Sequence, residues 1–359
     1  MAARAVLTSV ASSFGVMSIG LYASRSGWLD AAQRKGIAML YAQLVFPMMV
    51  FKGVAAITPS QIDLRFALVI VVSKAVLASI VIMYGMRTLR SSLGAASLSH
   101  AAAFAMAASH SFDVTLGVPL ARELFPKAEA YVYLNQSIQL VAINPILLIL
   151  MDLGATATKG HAKGIGRIFA RTMLATACNP LVIFTAAGMT ASCIWPAGLP
   201  PVLAALAAQV SSAGPCLGFL CLGFALGALG GTTAGEVQHA AVLCGAKLVL
   251  MPGLYVGVAR VLGCQQSSAF FMFLGSLPAS ASVYSLTLTR ALSPRVVGPL
   301  VPASMLLSLC LSLAPLSPAM VEAHVAEVFR VAIAIAATVA CTAAMCTGAK
   351  PDATNVKKA

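Results

Sequence analysis

Apolar residues run along this chain in stretches far longer than the core helices of a soluble domain. From Thr172 to Gly235, 64 residues pass without one Asp, Glu, Lys or Arg. At about 20 residues per bilayer crossing, that stretch alone holds at least two spans. Read this way, the pattern divides into eleven apolar segments: 5–24, 36–55, 66–86, 99–122, 130–151, 168–190, 200–229, 240–261, 267–290, 296–316 and 326–347. Polar and helix-breaking clusters separate them, among them Arg25-Ser26-Gly27, Thr58-Pro59-Ser60, Lys159-Gly160 and Trp195-Pro196. The segment 5–24 also resembles a cleaved signal peptide, but its 20 uncharged residues suffice to span, and a retained first helix is expected.

Composition agrees with the pattern. Hydrophobic residues make up 60% of the 359, charged residues only 9%, and mean hydropathy is +0.92. So few charges cannot cover a water-soluble globule of this size. A cytosolic enzyme, a disordered chain and a collagen-like fibre are excluded, and an integral membrane protein is expected. The formal charge of +13 would suggest a nucleic-acid partner in a soluble protein. Here it reads as a topology signal. With the N-terminus outside, 14 of the 23 basic residues fall in cytosolic connectors and 7 outside. The C-terminus is then cytosolic. Plasma membrane and endomembrane are not distinguished. The nine cysteines form no CxxC and sit near no histidine at ligand spacing, so neither metal nor cofactor is expected. No nucleophile elbow, HExxH, phosphate loop or dinucleotide fingerprint occurs, and an enzyme is not expected.

Lys74 and Lys247 are the basic residues left over, each near the middle of an apolar segment, the third and the eighth. The next segment in each case carries a proline, Pro119 or Pro278. Five segments separate the members of each pair. An odd-numbered unit inserts upside down relative to its copy, so the spacing predicts an inverted repeat with broken helices meeting near the midplane. Small and polar residues flank both prolines, including Gly117 before the first and Ser280 and Tyr284 after the second. Asp113 precedes the first break. An ionisable residue at a helix centre costs at least about 2.5 kcal/mol and usually marks a pathway. Two readings of Asp113 stand together: a structural tie to one lysine, or a group that meets substrate or changes protonation. Gln43 with Pro47, Gln136 with Ser137 and Gln139, Asn144 and His110 are secondary candidates for cavity lining or interhelical hydrogen bonds. Asn179-Pro180 reads as a kink.

The stretch Ser111-Phe112-Asp113-Val114-Thr115-Leu116-Gly117-Val118-Pro119-Leu120 resembles the fourth-helix crossover motif of the auxin efflux carrier family, the PIN and PIN-like carriers and their bacterial relatives. The order of motifs also resembles the transporter-like domain of lysosomal cholesterol-sensing proteins. The likeness continues through Asn144-Pro145, Asn179-Pro180, Phe219-Leu220-Cys221, Ala246-Lys247-Leu248 and Leu277-Pro278, and covers about 5–316. It implies ten helices in two inverted five-helix repeats, with helices four and nine broken. It also implies a static part (helices one, two, six and seven), a moving part carrying Lys74, Asp113, Pro119, Lys247 and Pro278, and a homodimer through the static part. The connector near 153–166 is short, so the long insert of the long PIN proteins is missing and polar auxin transport is not implied. Asp113 stands where plant carriers have an amide-rich stretch.

The expected fold is therefore an all-α polytopic membrane protein of about ten transmembrane helices plus an eleventh. Its divisions are a first repeat (1–152), a cytosolic loop (153–166), a second repeat (167–317) and an added helix and tail (318–359). The leading functional expectation is a secondary transporter moving a small organic anion by an elevator-like mechanism. The alternative is a sterol- or lipid-sensing protein using the same fold without transport.

Overall fold

The computed structural model describes residues 2–57, 63–157, 165–227 and 233–313. The expected eleventh helix, 326–347, lies outside them, as does 158–164 of the 153–166 connector. The described chain is all-helical. In order it forms α1 (Ala2–Arg25), α2 (Ala31–Ala55), α3 (Leu64–Leu93), α4 (Ser97–Ser109), α5 (Val118–Leu124), α6 (Pro126–Ala157), α7 (Ile165–Ala177), α8 (Pro180–Ile194), α9 (Pro201–Gly227), α10 (Ala234–Leu262), α11 (Ser268–Ser276), α12 (Ala281–Arg290) and α13 (Pro294–Leu313).

Among the described residues, length and apolar composition make five helical stretches able to cross a membrane: α2, α3 with α4, α6, α9 and α10. A sixth arises if α7 and α8, bent by 56° between Phe169–Ala177 and Pro180–Ile194, form one crossing. The stretch Leu64–Ser109 is 46 residues long. A straight helix of that length would reach about 69 Å at 1.5 Å per residue, twice the hydrocarbon thickness. It instead folds back. Gly94 adopts φ +54°, ψ −125°, a conformation that an L side chain strains to reach. Beyond that turn, α4 lies against α3, so closely that a Cβ on Gly85 would fall 2.7 Å from that of Ala101.

Polar residues at the helix ends stop and start these elements as the sequence suggests. Asp30 and Gln33 cap α2 reciprocally, with Gln33 N–H donating to Asp30 Oδ1 at 2.8 Å and Asp30 N–H to Gln33 Oε1 at 2.9 Å. Thr233 and Glu236 do the same for α10. Asn179 caps α8 ahead of Pro180, which explains the kink after α7.

The π-helical turns have a sequence cause. They occur at Tyr41–Val45, Asp113–Gly117, Gln139–Ile143 and Ala246–Leu250. Each ends two residues before a proline: Pro47, Pro119, Pro145 or Pro252. Proline offers no N–H and its ring crowds the carbonyl four residues back, so the hydrogen-bond ladder slips by one residue. The chain stays helical. This corrects one expectation: Pro119 does not break the fourth segment. It follows the π turn Asp113–Gly117, which accommodates its ring and its missing N–H within a continuous helix. The break falls earlier, at 110–112. In the ninth segment the break does include Pro278.

Helices α1, α2, α8 and α9 pack on one another, and α3, α4, α6, α10, α11 and α13 form a second group. Glycines set the closest approach in the first group. A Cβ on Gly223 of α9 would lie 2.1 Å from the Met17 carbonyl oxygen, and one on Gly20 2.4 Å from that of Leu220. Such small-residue contacts bring backbones together where lipid supplies no hydrophobic drive. In the second group, a cluster of aromatic rings from α3, α5–α6 and α11 (Phe66, Phe125, Tyr131, Phe270 and Phe271) fills one end.

Candidate functional site

Two breaks in the helices meet. Phe112 N–H donates to the Pro278 carbonyl at 2.8 Å, and Ser280 N–H donates to the His110 carbonyl at 3.2 Å. Ser111 and Ala279 thus form a short antiparallel bridge. Ala279 N–H is taken up by Ser304 Oγ at 3.0 Å. Broken helices leave backbone donors and acceptors that hydrocarbon cannot satisfy. Here each break satisfies groups of the other.

Three buried ionisable side chains surround this crossing. Asp113 opens the π turn after the first break and is 1% exposed. Its Oδ2 accepts from Asn135 Nδ2 at 2.9 Å. Asn135 Oδ1 in turn accepts from the Tyr255 hydroxyl at 3.1 Å. Asp113 Oδ1 is buried and has no hydrogen-bond partner. Lys74 Nζ donates to Gln139 Oε1, and Lys247 Nζ donates to Ser111 Oγ. Both lysines are fully buried. Asp113 interacts electrostatically with both, yet pairs directly with neither. Among the described residues the ion pairs are Arg122–Glu129 and Arg290–Asp152. The simple structural tie of aspartate to lysine is therefore not what the structure holds. Each of the three ionisable groups is held by a neutral polar side chain, leaving two amines beside one carboxyl group.

The π turns position this set. Tyr41, Asp113, Gln139 and Lys247 each lie within one. A π turn shifts the helical register locally and re-aims side chains, and such turns are frequent at functional sites.

A cavity of about 440 Å³ reaches the crossing from the side of the α2 N-terminus. Its walls include Lys35, Gln43, Phe112, Asp113, Gln136 and Ser280. Tyr41 and Thr115 also line it, joined across the two helix groups at 2.8 Å. Gly218 permits that contact, since a Cβ there would sit 2.9 Å from both the Tyr41 hydroxyl and Thr115 Cγ2.

No family model matches the chain. Over 185 residues, 49% of this chain, it is 26% identical to the mouse (Mus musculus) lysosomal cholesterol signaling protein. The match takes in only 20% of that relative, so the chain corresponds to a small part of its length. The likeness to cholesterol-sensing proteins legible in the motifs is thus supported over about half the chain.

The residues singled out by sequence fall into three places. Gln43, Asp113, Gln136 and Ser280 line the cavity. Lys74, Lys247 and Pro278 belong to the crossing itself. The rest are packed behind it. Gly117 lies against Leu277 and Val132. Tyr284 is fully buried with its hydroxyl on the Ala225 carbonyl at 3.1 Å. Asn144 Oδ1 meets His110 Nε2 at 2.5 Å, and Ser109 Oγ holds the other ring nitrogen at 3.0 Å. Asn135, Tyr255, Tyr41 and Thr115 were not visible as site residues. Asn135 stands in the polar run Asn135-Gln136-Ser137, which was a usable signal. Tyr255 lies in an apolar run with nothing to mark it.

Proposed function

We propose that this membrane protein is a secondary carrier for a small organic anion. One observation carries the reading: two helix breaks hydrogen-bond to each other beside two buried lysines and one buried aspartate, and a cavity leads there. An excess of buried amine favours an anionic ligand, and Asp113 Oδ1, still without a partner, can take a donor from it or hold a proton. The arrangement suits ten helices in two inverted five-helix repeats, as in the auxin efflux carriers. On this reading α1, α2, α7 with α8, and α9 form the static part and a homodimer contact, and the remaining helices slide against them by alternating access. The N-terminus is non-cytosolic, ten crossings bring Leu313 back to that side, and the C-terminus becomes cytosolic only through the eleventh segment expected from the sequence. No chemical transformation is assigned to it.

The test is flux of a panel of organic anions into proteoliposomes, comparing the wild type with Asp113→Asn and Lys247→Ala. Both variants are expected to lose flux while remaining folded. Wild-type flux in both would sink the assignment of the site.

A second reading has its own observation, the mouse relative whose name records cholesterol signaling. On that reading the chain binds a sterol or another lipid and transports nothing. Saturable labelling of the wild type by a photoreactive sterol, together with no flux of any anion, would replace the first reading with the second.

A further inference from the structure

A second cavity, of about 530 Å³, lies at the other end of α2. Lys35 on the first cavity and Lys52 on the second are about 25 Å apart along the helix at 1.5 Å per residue. The two cavities therefore open towards opposite faces of the membrane. Gly53 and Tyr133 meet in the wall of the second cavity, where a Cβ on Gly53 would lie 2.2 Å from the Tyr133 ring.

Positive charge is in excess in the second cavity. Lys52, Arg122 and Lys127 line it, with Glu129. Glu129 is taken up by Arg122, through Nη2 to Oε1 at 2.6 Å and Nε to Oε2 at 3.2 Å. Lys52 and Lys127 are exposed, one on each helix group, and neither has a partner among the described residues. The first turn of α6, 126–130, forms part of the wall, and no side chain caps it. The positive end of the helix dipole adds to the field of the two amines. Ala56, Ile57, Tyr131 and Leu134 give the remaining wall an apolar and aromatic surface. The volume is within the range of small-molecule sites.

From this geometry we infer that the second cavity binds a small organic carboxylate, its charge between Lys52 and Lys127 and its apolar body against Tyr131 and Leu134. The inference does not depend on whether the protein transports anything. Its test is calorimetric titration of the full chain in phosphatidylcholine nanodiscs with benzoate, and separately with inorganic phosphate. Benzoate is expected to bind the wild type, more weakly at high salt. The variant K52Q/K127Q should lower its affinity by about tenfold or more, the weight of a charge-assisted hydrogen bond. Asp113→Asn and Lys35→Gln should leave that affinity unchanged. Both lysines are exposed, so K52Q/K127Q should unfold at the wild-type temperature. Absence of benzoate binding, or equal binding by K52Q/K127Q, overturns the inference. Loss of binding in Asp113→Asn places the anion in the first cavity and also overturns it. Phosphate binding as tightly as benzoate removes the role of the apolar wall. Competition by phosphatidylglycerol in the nanodisc, with no benzoate binding in phosphatidylcholine, makes the ligand a lipid headgroup and overturns the free-anion assignment.

Discussion

Asn135→Ala tests the geometry of the crossing most directly. Asn135 holds both the Asp113 carboxylate, at 2.9 Å, and the Tyr255 hydroxyl, at 3.1 Å. A hydrogen bond to a charged group contributes about 1.5–3 kcal/mol, and a buried hydroxyl left without a partner costs about 1–3 kcal/mol. The substitution should therefore destabilise the protein by about 3 kcal/mol or more. That sum alone does not identify Asp113 as the partner. A double-mutant cycle does. In the Asp113→Asn background the bond lost is between neutral groups, and the cost of Asn135→Ala should fall by about 1 kcal/mol. The assay is reversible unfolding in detergent by SDS titration of all four proteins. Residues that do not interact add to within about 0.5 kcal/mol. A coupling below that limit would refute the reasoning, because it would mean an unbonded pair or an uncharged carboxyl.

Gln139→Leu leaves the buried Lys74 ammonium without its hydrogen-bond acceptor and should cost about 2–3 kcal/mol in the same titration; a neutral result would show that Lys74 has another partner. Gly223→Ala drives a Cβ towards the Met17 backbone and should destabilise the α1–α9 contact by about 1–3 kcal/mol, read as a lower unfolding midpoint. Gly94→Ala forces an L side chain into φ +54°, ψ −125°, with a cost of about 1–3 kcal/mol that an unchanged midpoint would contradict. Arg122→Ala removes a solvent-exposed ion pair and should change stability by no more than about 1 kcal/mol.

Much of the helical framework was legible because apolar run length is a direct consequence of bilayer thickness. The starts of α2 and α10 were set too late, at 36 and 240, because apolar run length does not register the polar first turns that Asp30 and Thr233 cap at Ala31 and Ala234. The first break was misplaced at Pro119 for a physical reason. Pro119 is accommodated within a continuous helix by the π turn that ends two residues earlier. The true break, His110 to Phe112, contains no proline. It exists because Pro278 and Ser280, far along the chain, bond its backbone. The reversal within Leu64–Ser109 was legible, because Arg87, Arg90, Ser91 and Ser92 separate the segments 66–86 and 99–122, and Gly94 supplies the turn.

The sequence by itself determined that the chain belongs in a membrane, and that Lys74, Asp113 and Lys247 stand out within it. Hydrophobicity and charge are properties of single residues, so they survive without a structure. Only the tertiary structure decided the partners: Gln139 for Lys74, Ser111 for Lys247, Asn135 for Asp113, and not one charge for another. Those choices depend on helix register, which the π turns before Pro119, Pro145 and Pro252 shift by one residue. A slip of that size redirects a side chain by about 100°, and no pattern of apolar positions records which way it turns.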